Sequence, residues 1–331
     1  QPLARCPMAY FAQAKTLSRL FNHYLFTRYI SDSLGRIMTF LSKLVQAGTI
    51  FSMLALSASA TSATLETSVF NPQEKSLFPV SSVLITGPTE AILVDAQFQR
   101  NDAQSVVELI KKSGKKLTTI YISHGDPDYY FGLDVITAAY PHAKVVSSAK
   151  TQEYIVASMV PKKTYWGPIL KENAPQELVV PEVLKGDTLM VDGEKVKIVG
   201  LDGHDPKHTF VWIPSSKTML GGVVVFGNMH VFLADTQTPE SRHLWYKTLD
   251  VIEQLHPTTV IPGHIVGNKP LTIQAVNFTR QYIQNFEAAA KASSNSSELI
   301  ATMKASYPNI GGDSILALSA KVIMGEMKWG Q

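Results

Sequence analysis

The chain has 331 residues, a formal net charge of +3 at pH 7 and a hydrophobic fraction of 45%. That length allows one large domain or two small ones, and the apolar content is that of a globular protein. The small charge, with no long basic run and no nucleic-acid motif, excludes a nucleic-acid-binding surface. Cys6 is the single cysteine, which excludes an internal disulfide and a cysteine-based zinc site.

Residues 1–63 differ from the rest. Met38 to Ala63 carries Lys43, an apolar run near Ala47 to Leu56, and the small residues Ala58-Ser59-Ala60 and Ala60-Thr61-Ser62-Ala63. A charged start, an apolar middle and a small-residue cleavage site are the layout of a secretory signal peptide. The run is too short and interrupted to span a membrane comfortably; a buried helix or an anchor is the other reading. The expectation is a periplasmic or secreted protein, cleaved near Thr61 or Thr64, with no stable membrane span and no cysteine. Residues 1–37 hold Arg5, Lys15, Arg19, Arg28 and Arg36 with no acid before Asp32, and are set outside the fold. Residues 64–331 are expected to form a single domain.

From Leu65 onward the pattern is α/β. Val80 to Thr86 and Ala91 to Val94 read as a hairpin around Gly87-Pro88-Thr89-Glu90, and Asp95 closes the second strand. Asp102 to Lys112 has Ala103, Val106, Val107 and Ile110 at helical spacing, with Gly114 as a stop. Leu117 to Ile122 is a β-branched, buried strand. Gly132 to Tyr140 and Ser148 to Met159 read as helices, with a short strand, Ala143 to Ser147, between them. Pro161, Pro168, Pro175 and Pro181 make 160–181 an irregular excursion, a lid or a surface loop. Thr188 to Val191, Val196 to Leu201, Thr209 to Ile213 and Thr218 to Phe226 read as strands, the first two joined by the hairpin signal Asp192-Gly193. Glu240 to Leu255 is an amphipathic helix and Thr258 to Ile261 a short strand. The chain from about Leu271 is mostly helical, with a polar break at Ser293 to Ser297. Two groups of strands, each followed by helices, fit two α/β halves packed sheet to sheet.

Three segments share one design: a strand ends, a Gly or Pro turn follows, and His or Asp is presented. They are Ser123-His124-Gly125-Asp126-Pro127-Asp128, Gly200-Leu201-Asp202-Gly203-His204-Asp205-Pro206 and Val260-Ile261-Pro262-Gly263-His264. A single such turn is ordinary solvated structure. Three at strand ends of an α/β chain are where a site is built. Imidazole and carboxylate together suit zinc, and iron or manganese less selectively.

With these turns the chain resembles the metallo-β-lactamase fold superfamily over roughly residues 77–266. The resemblance rests on Val94-Asp95, the 123–132 turn, Gly203-His204-Asp205-Pro206 and the final Pro262-Gly263-His264. It implies an αββα sandwich of two packed mixed β-sheets flanked by helices. The superfamily's first turn reads His-x-His-x-Asp-His with Gly three positions later. His124, Asp128 and Gly132 match it, while Asp126 and Tyr129 replace its second and last His. His204 and His264 match the third-ligand and final His, and Gly222 stands where a bridging Asp would fall. One metal would then rest on His124, Asp126 and His204, and a second would have Asp128 and His264. Tyrosine is a poor zinc ligand while its phenol, with a pKa of about 10, stays protonated. The resemblance therefore implies one firmly held zinc, or two with the second weak, or a degenerate site with none; iron or manganese stay open.

The chemistry so implied is hydrolysis of a small ester, lactone or lactam by a metal-activated water. Asp128 would orient that water or act as general base, Tyr129 would donate to an oxyanion, and His230 would contact substrate or supply a proton. His208 is a further candidate. Asp95 and Asp202 read as loop ties. A β-lactamase or an acyl-homoserine lactonase is the narrower alternative, and a non-catalytic binding protein of the same fold the opposing one. The expected partner is a small-molecule substrate.

Overall fold

The apolar runs pair into two mixed sheets. The computed structural model describes residues 64–329 apart from 204 and 206, so the expected signal in 38–63 lies outside the described residues. The first sheet has six strands in chain order: β1 (Glu66–Phe70), β2 (Ser82–Thr86), β3 (Glu90–Val94), β4 (Lys116–Ile122), β5 (Lys144–Ser147) and β6 (Glu182–Val183). β1, β2 and β3 are antiparallel, and β3 to β6 run parallel. The second sheet is built from β7 (Thr188–Val191), β8 (Glu194–Val199), β9 (Phe210–Ile213), β10 (Thr218–Leu220) and β12 (Thr259–Val260), in the order β12-β10-β9-β8-β7. A two-stranded ribbon pairs β11 (Phe226–Gly227) with β13 (His264–Ile265) in parallel.

The continuous apolar runs are explained by burial on both faces of the strands. Register lines up Val83, Val94, Tyr121 and Val146 across four strands of the first sheet. All four meet Ile198, Val211 and Leu220 of the second sheet in one buried layer. The alternate residues, Leu84, Leu93 and Ile120, face the other way into a larger cluster with the helices. That cluster takes Ala103, Val106, Val107 and Ile110 from α1 (Arg100–Ser113), then Leu133 and Ile136 from α2 (Leu133–Ala139). On the far side it takes Trp245, Leu249 and Ile252 from α4 (Pro239–Gln254). α5 (Gln274–Ala292), α6 (Ser296–Ser306) and α7 (Asp313–Ile323) complete the helical layer. The αββα sandwich expected from the sequence is the architecture observed.

Two of the elements read from the sequence take a different form, and β1, β6 and β13 are strands that the sequence reading does not include. α3 runs from Ala149 to Leu170 through Pro161 and Pro168, so the stretch read as irregular is helical for half its length. A proline inside a helix removes a hydrogen bond at about 3 kcal/mol. Here Ile155, Met159 and Leu170 are buried along one side, and Trp166 packs edge-on against Phe78 and Phe98 at 5.4 and 5.3 Å. Tertiary burial outweighs local propensity. Conversely, the strand read over Thr218 to Phe226 stops at Leu220, because Gly221 and Gly222 turn to φ of +70° and +73°.

The Asp192-Gly193 hairpin forms as its sequence signals, with φ of +48° and +85°. Asp192 also accepts hydrogen bonds from the backbone N–H groups of Thr89 and Glu90, each 2.8 Å. This clasps the two sheets at the end of β3 away from Asp95. Among the described residues no helix is long and apolar enough to cross a membrane.

Candidate metal centre

The site begins where β3 and β4 end. Asp95, fully buried, accepts from the Ser123 backbone N–H at 2.8 Å and from its hydroxyl at 2.6 Å. The Ser123 hydroxyl in turn accepts from the Gly222 N–H at 2.8 Å. Three chain segments are tied together through one hydroxyl, the loop-tying role the sequence suggested for Asp95. Burial pushes its carboxyl up to about 7, against the Ser123 hydrogen bonds. Gly132 lets the turn close, since a Cβ there would lie 2.2 Å from the Ala96 carbonyl oxygen.

The turn after β4 then presents His124 and Asp126, with Nε2 of the first hydrogen-bonded to Oδ2 of the second at 3.1 Å. Asp235, in the loop between β11 and α4, joins them. The three residues offer one ligand atom each, all within 4.8 Å of one another. Two further groups hold this cluster from outside. Lys162 of α3 donates from Nζ to Asp126 Oδ1 at 2.8 Å and to the Tyr154 hydroxyl at 3.1 Å. Trp329 donates its indole N–H to Asp235 Oδ1 at 2.7 Å.

The electrostatics follow from this crowding. Burial opposes the Asp126 charge, but His124 and Lys162 outweigh it and hold its carboxyl well below the usual range. Burial likewise opposes a charged His124, and Asp126, Asp235 and Asp128 overcome it, so its pKa lies above the ordinary value. Asp235 is exposed as a residue, but desolvation of its carboxylate at the cluster and then the Asp126 charge push its pKa up. The donor set of two carboxylates and one imidazole fits a divalent ion. The carboxylates match its charge, and imidazole and carboxylate donors together suit zinc, with iron or manganese less selectively.

The second half of the expected site is built differently. Asp128 Oδ2 lies 3.2 Å from His264 Nε2, while His264 Nδ1 is buried with no hydrogen-bond partner among the described residues. The fully buried Tyr129 ring meets both imidazoles edge-on, at 5.3 Å from His124 and 5.6 Å from His264. The sequence reading gave Tyr129 an oxyanion; its hydroxyl instead faces the Gly222 carbonyl oxygen at 3.5 Å. Burial holds that phenol well above its ordinary pKa. At Gly222 itself a Cβ would stand 2.1 Å from the Thr209 carbonyl oxygen, so no carboxylate can be carried there without moving backbone.

The remaining candidates fall elsewhere. His204 lies outside the described residues. His230 is not brought to the cluster: its Nδ1 bonds the Tyr282 hydroxyl at 2.7 Å and its Nε2 lies 3.7 Å from Asp313, among the C-terminal helices. His208 is buried against Trp245, stacked at 4.6 Å, with Nδ1 on the Asp205 carboxylate. Asp235 and Lys162 had no place in the sequence reading. Asp235 sits just before the helix cap Thr238, so it reads as an acid in a turn. Lys162 follows a proline in a stretch that reads as loop.

The model of the family described as the metallo-beta-lactamase superfamily matches residues 76–264. The structure is similar to the metallo-beta-lactamase family protein TTHA1429 of Thermus thermophilus, with TM-score 0.54 and 17% identity over 79% of this chain and 91% of that one. It is also similar to a metallo-beta-lactamase from Pontibacter korlensis, with TM-score 0.49 and 17% identity over 69% of this chain and 98% of that one. In sequence, it is 31% identical over 74 residues to the uncharacterized protein YobT of Bacillus subtilis (strain 168). That match spans 22% of this chain and 31% of its relative.

Proposed function

Since the chain belongs to the metallo-β-lactamase superfamily, we propose that it is a metal-dependent hydrolase of a small ester, lactone or lactam. The convergence of His124, Asp126 and Asp235 within 4.8 Å carries this reading. A divalent ion on these residues would lower the pKa of a water and polarise the scissile carbonyl. Zinc is the proposed ion. His204, by its place in the sequence, stays in the proposal as a further ligand.

The chain's own groups prepare the site. Lys162 and Trp329 each hold the Oδ1 of one carboxylate, and such outer contacts orient ligands. Asp128 is the carboxylate left to accept a proton from the attacking water, with His264 fixing its Oδ2. Tyr129 and Gly222 stand at the sequence positions where two ligands of a second metal were expected, and neither supplies one, which favours a single ion. We also propose export, on the pattern of residues 38–63; N-terminal sequencing of protein from an export-competent host should find a start near Thr61 or Thr64, and an intact Gln1 or Met38 would refute it.

The test is elemental analysis of the protein purified without chelator. About one zinc per chain is expected, removed by a chelator and lost in His124→Ala and Asp235→Asn. A screen of lactones, esters and β-lactams would follow. A second reading, a binding protein with a degenerate site, is favoured by one observation: Lys162 and His124 already satisfy Asp126 without an ion. No metal uptake, even after zinc is added back, would make that reading the better one.

A further inference from the structure

The metal reading leaves open which side chain would share with the ion the substrate oxygen on which negative charge develops. Such an oxygen needs a donor already aimed, near the ion and free of a competing acceptor. Tyr129 does not meet this, because its hydroxyl is buried against Gly222. Tyr154 does. It lies on α3, 41% exposed, and its ring lies against Gly125 so closely that a Cβ there would be 2.3 Å from its Cδ1. Gly125 therefore seats the ring beside the His124–Asp126 turn.

The hydroxyl accepts from Lys162 Nζ at 3.1 Å. Its own O–H is left to point elsewhere, and no acceptor engages it among the described residues. Accepting a hydrogen bond from an ammonium makes a hydroxyl a stronger donor, because each bond in a chain polarises the next. The same ammonium bridges to Asp126 Oδ1 and lies over the Tyr154 ring at 4.2 Å from its centroid. The hydroxyl is thus one ammonium away from a proposed ligand.

We propose that Tyr154, polarised by Lys162, is the hydrogen-bond donor that binds the substrate's carbonyl or carboxylate oxygen at this site. This rests on the metal reading above. Tyr154 forms and breaks no covalent bond; its proton stays on the phenol while the O–H stabilises charge on the substrate oxygen.

Acetate is a suitable probe, as a carboxylate that a metal and one donor can hold together. Its affinity for the zinc-loaded full chain would be measured by calorimetry for wild type, Tyr154→Phe and Tyr165→Phe, with zinc counted in each. Tyr154→Phe keeps the ring on Gly125 and under Lys162 and removes only the hydroxyl. Tyr165, 58% exposed on the same helix, is the control. Loss of a hydrogen bond to a charged group should weaken acetate by about tenfold in Tyr154→Phe, with zinc content and the control unchanged. Equal acetate affinity in wild type and Tyr154→Phe, both zinc-loaded, overturns the proposal and leaves the metal reading standing. Equal weakening in Tyr165→Phe also overturns it. A wild-type chain that takes up no zinc overturns the metal reading and this proposal together.

Discussion

Gly222 shows how one residue without a side chain shapes the centre. Its φ of +73° and the Thr209 carbonyl oxygen, 2.1 Å from where a Cβ would stand, both exclude any other residue. Gly222→Ala should cost about 3 kcal/mol, from the left-handed backbone and the overpacking together. Denaturant unfolding would read this, and a variant as stable as wild type would show that the loop relaxes freely. For the same reason Gly222→Asp should not add a second zinc. Residue by residue, the sequence displayed the candidate site residues that end strands, since Gly and Pro punctuate the turns holding His124, Asp126, Asp128 and His264. It hid Asp235, whose approach to His124 depends on a loop far downstream and carries no spacing rule with it.

At the scale of elements, the start of α4 fixes the end of the loop that bears Asp235. The Thr238 hydroxyl accepts from the Ser241 N–H at 3.1 Å, and Ser241 reaches back to the Thr238 N–H at 3.3 Å. Thr238→Ala should lower stability by about 1 kcal/mol, the usual worth of a cap. Zinc affinity should fall in the same variant if the cap also holds Asp235 in place; unchanged stability by denaturant titration would remove the cap from the account. β2, β3, β9 and β10 were legible because both their faces are buried and their apolar runs stand out, whereas β1 and β6, largely exposed, carry no such run. α3 was only half legible: Pro161 and Pro168 argue against a helix locally, and the partners that override them, Phe78 and Phe98, are distant in sequence.

For the whole molecule, the C-terminal helices carry a built-in sensitivity to acid. His230 is buried beside Tyr282, with Asp313 facing its Nε2 and Lys304 paired to Asp313. Burial lowers its pKa to about 4, whereas an unfolded His titrates near its ordinary value of about 6.5. Between those values the unfolded chain binds the extra proton, so stability falls as pH drops through that window, by on the order of 1 kcal/mol per pH unit. His230→Gln, which keeps a polar partner for Tyr282, should flatten this loss when unfolding is compared at pH 7 and pH 5. An equal loss in wild type and variant would place the acid sensitivity elsewhere. The contact of Trp329 with Asp235 at 2.7 Å has a consequence of a different kind. An indole whose N–H rests on a carboxylate emits light according to the charge beside it. A cation arriving at Asp235 would change that charge, so adding zinc should alter the tryptophan emission with no substrate in hand, and Trp329→Phe should abolish that change.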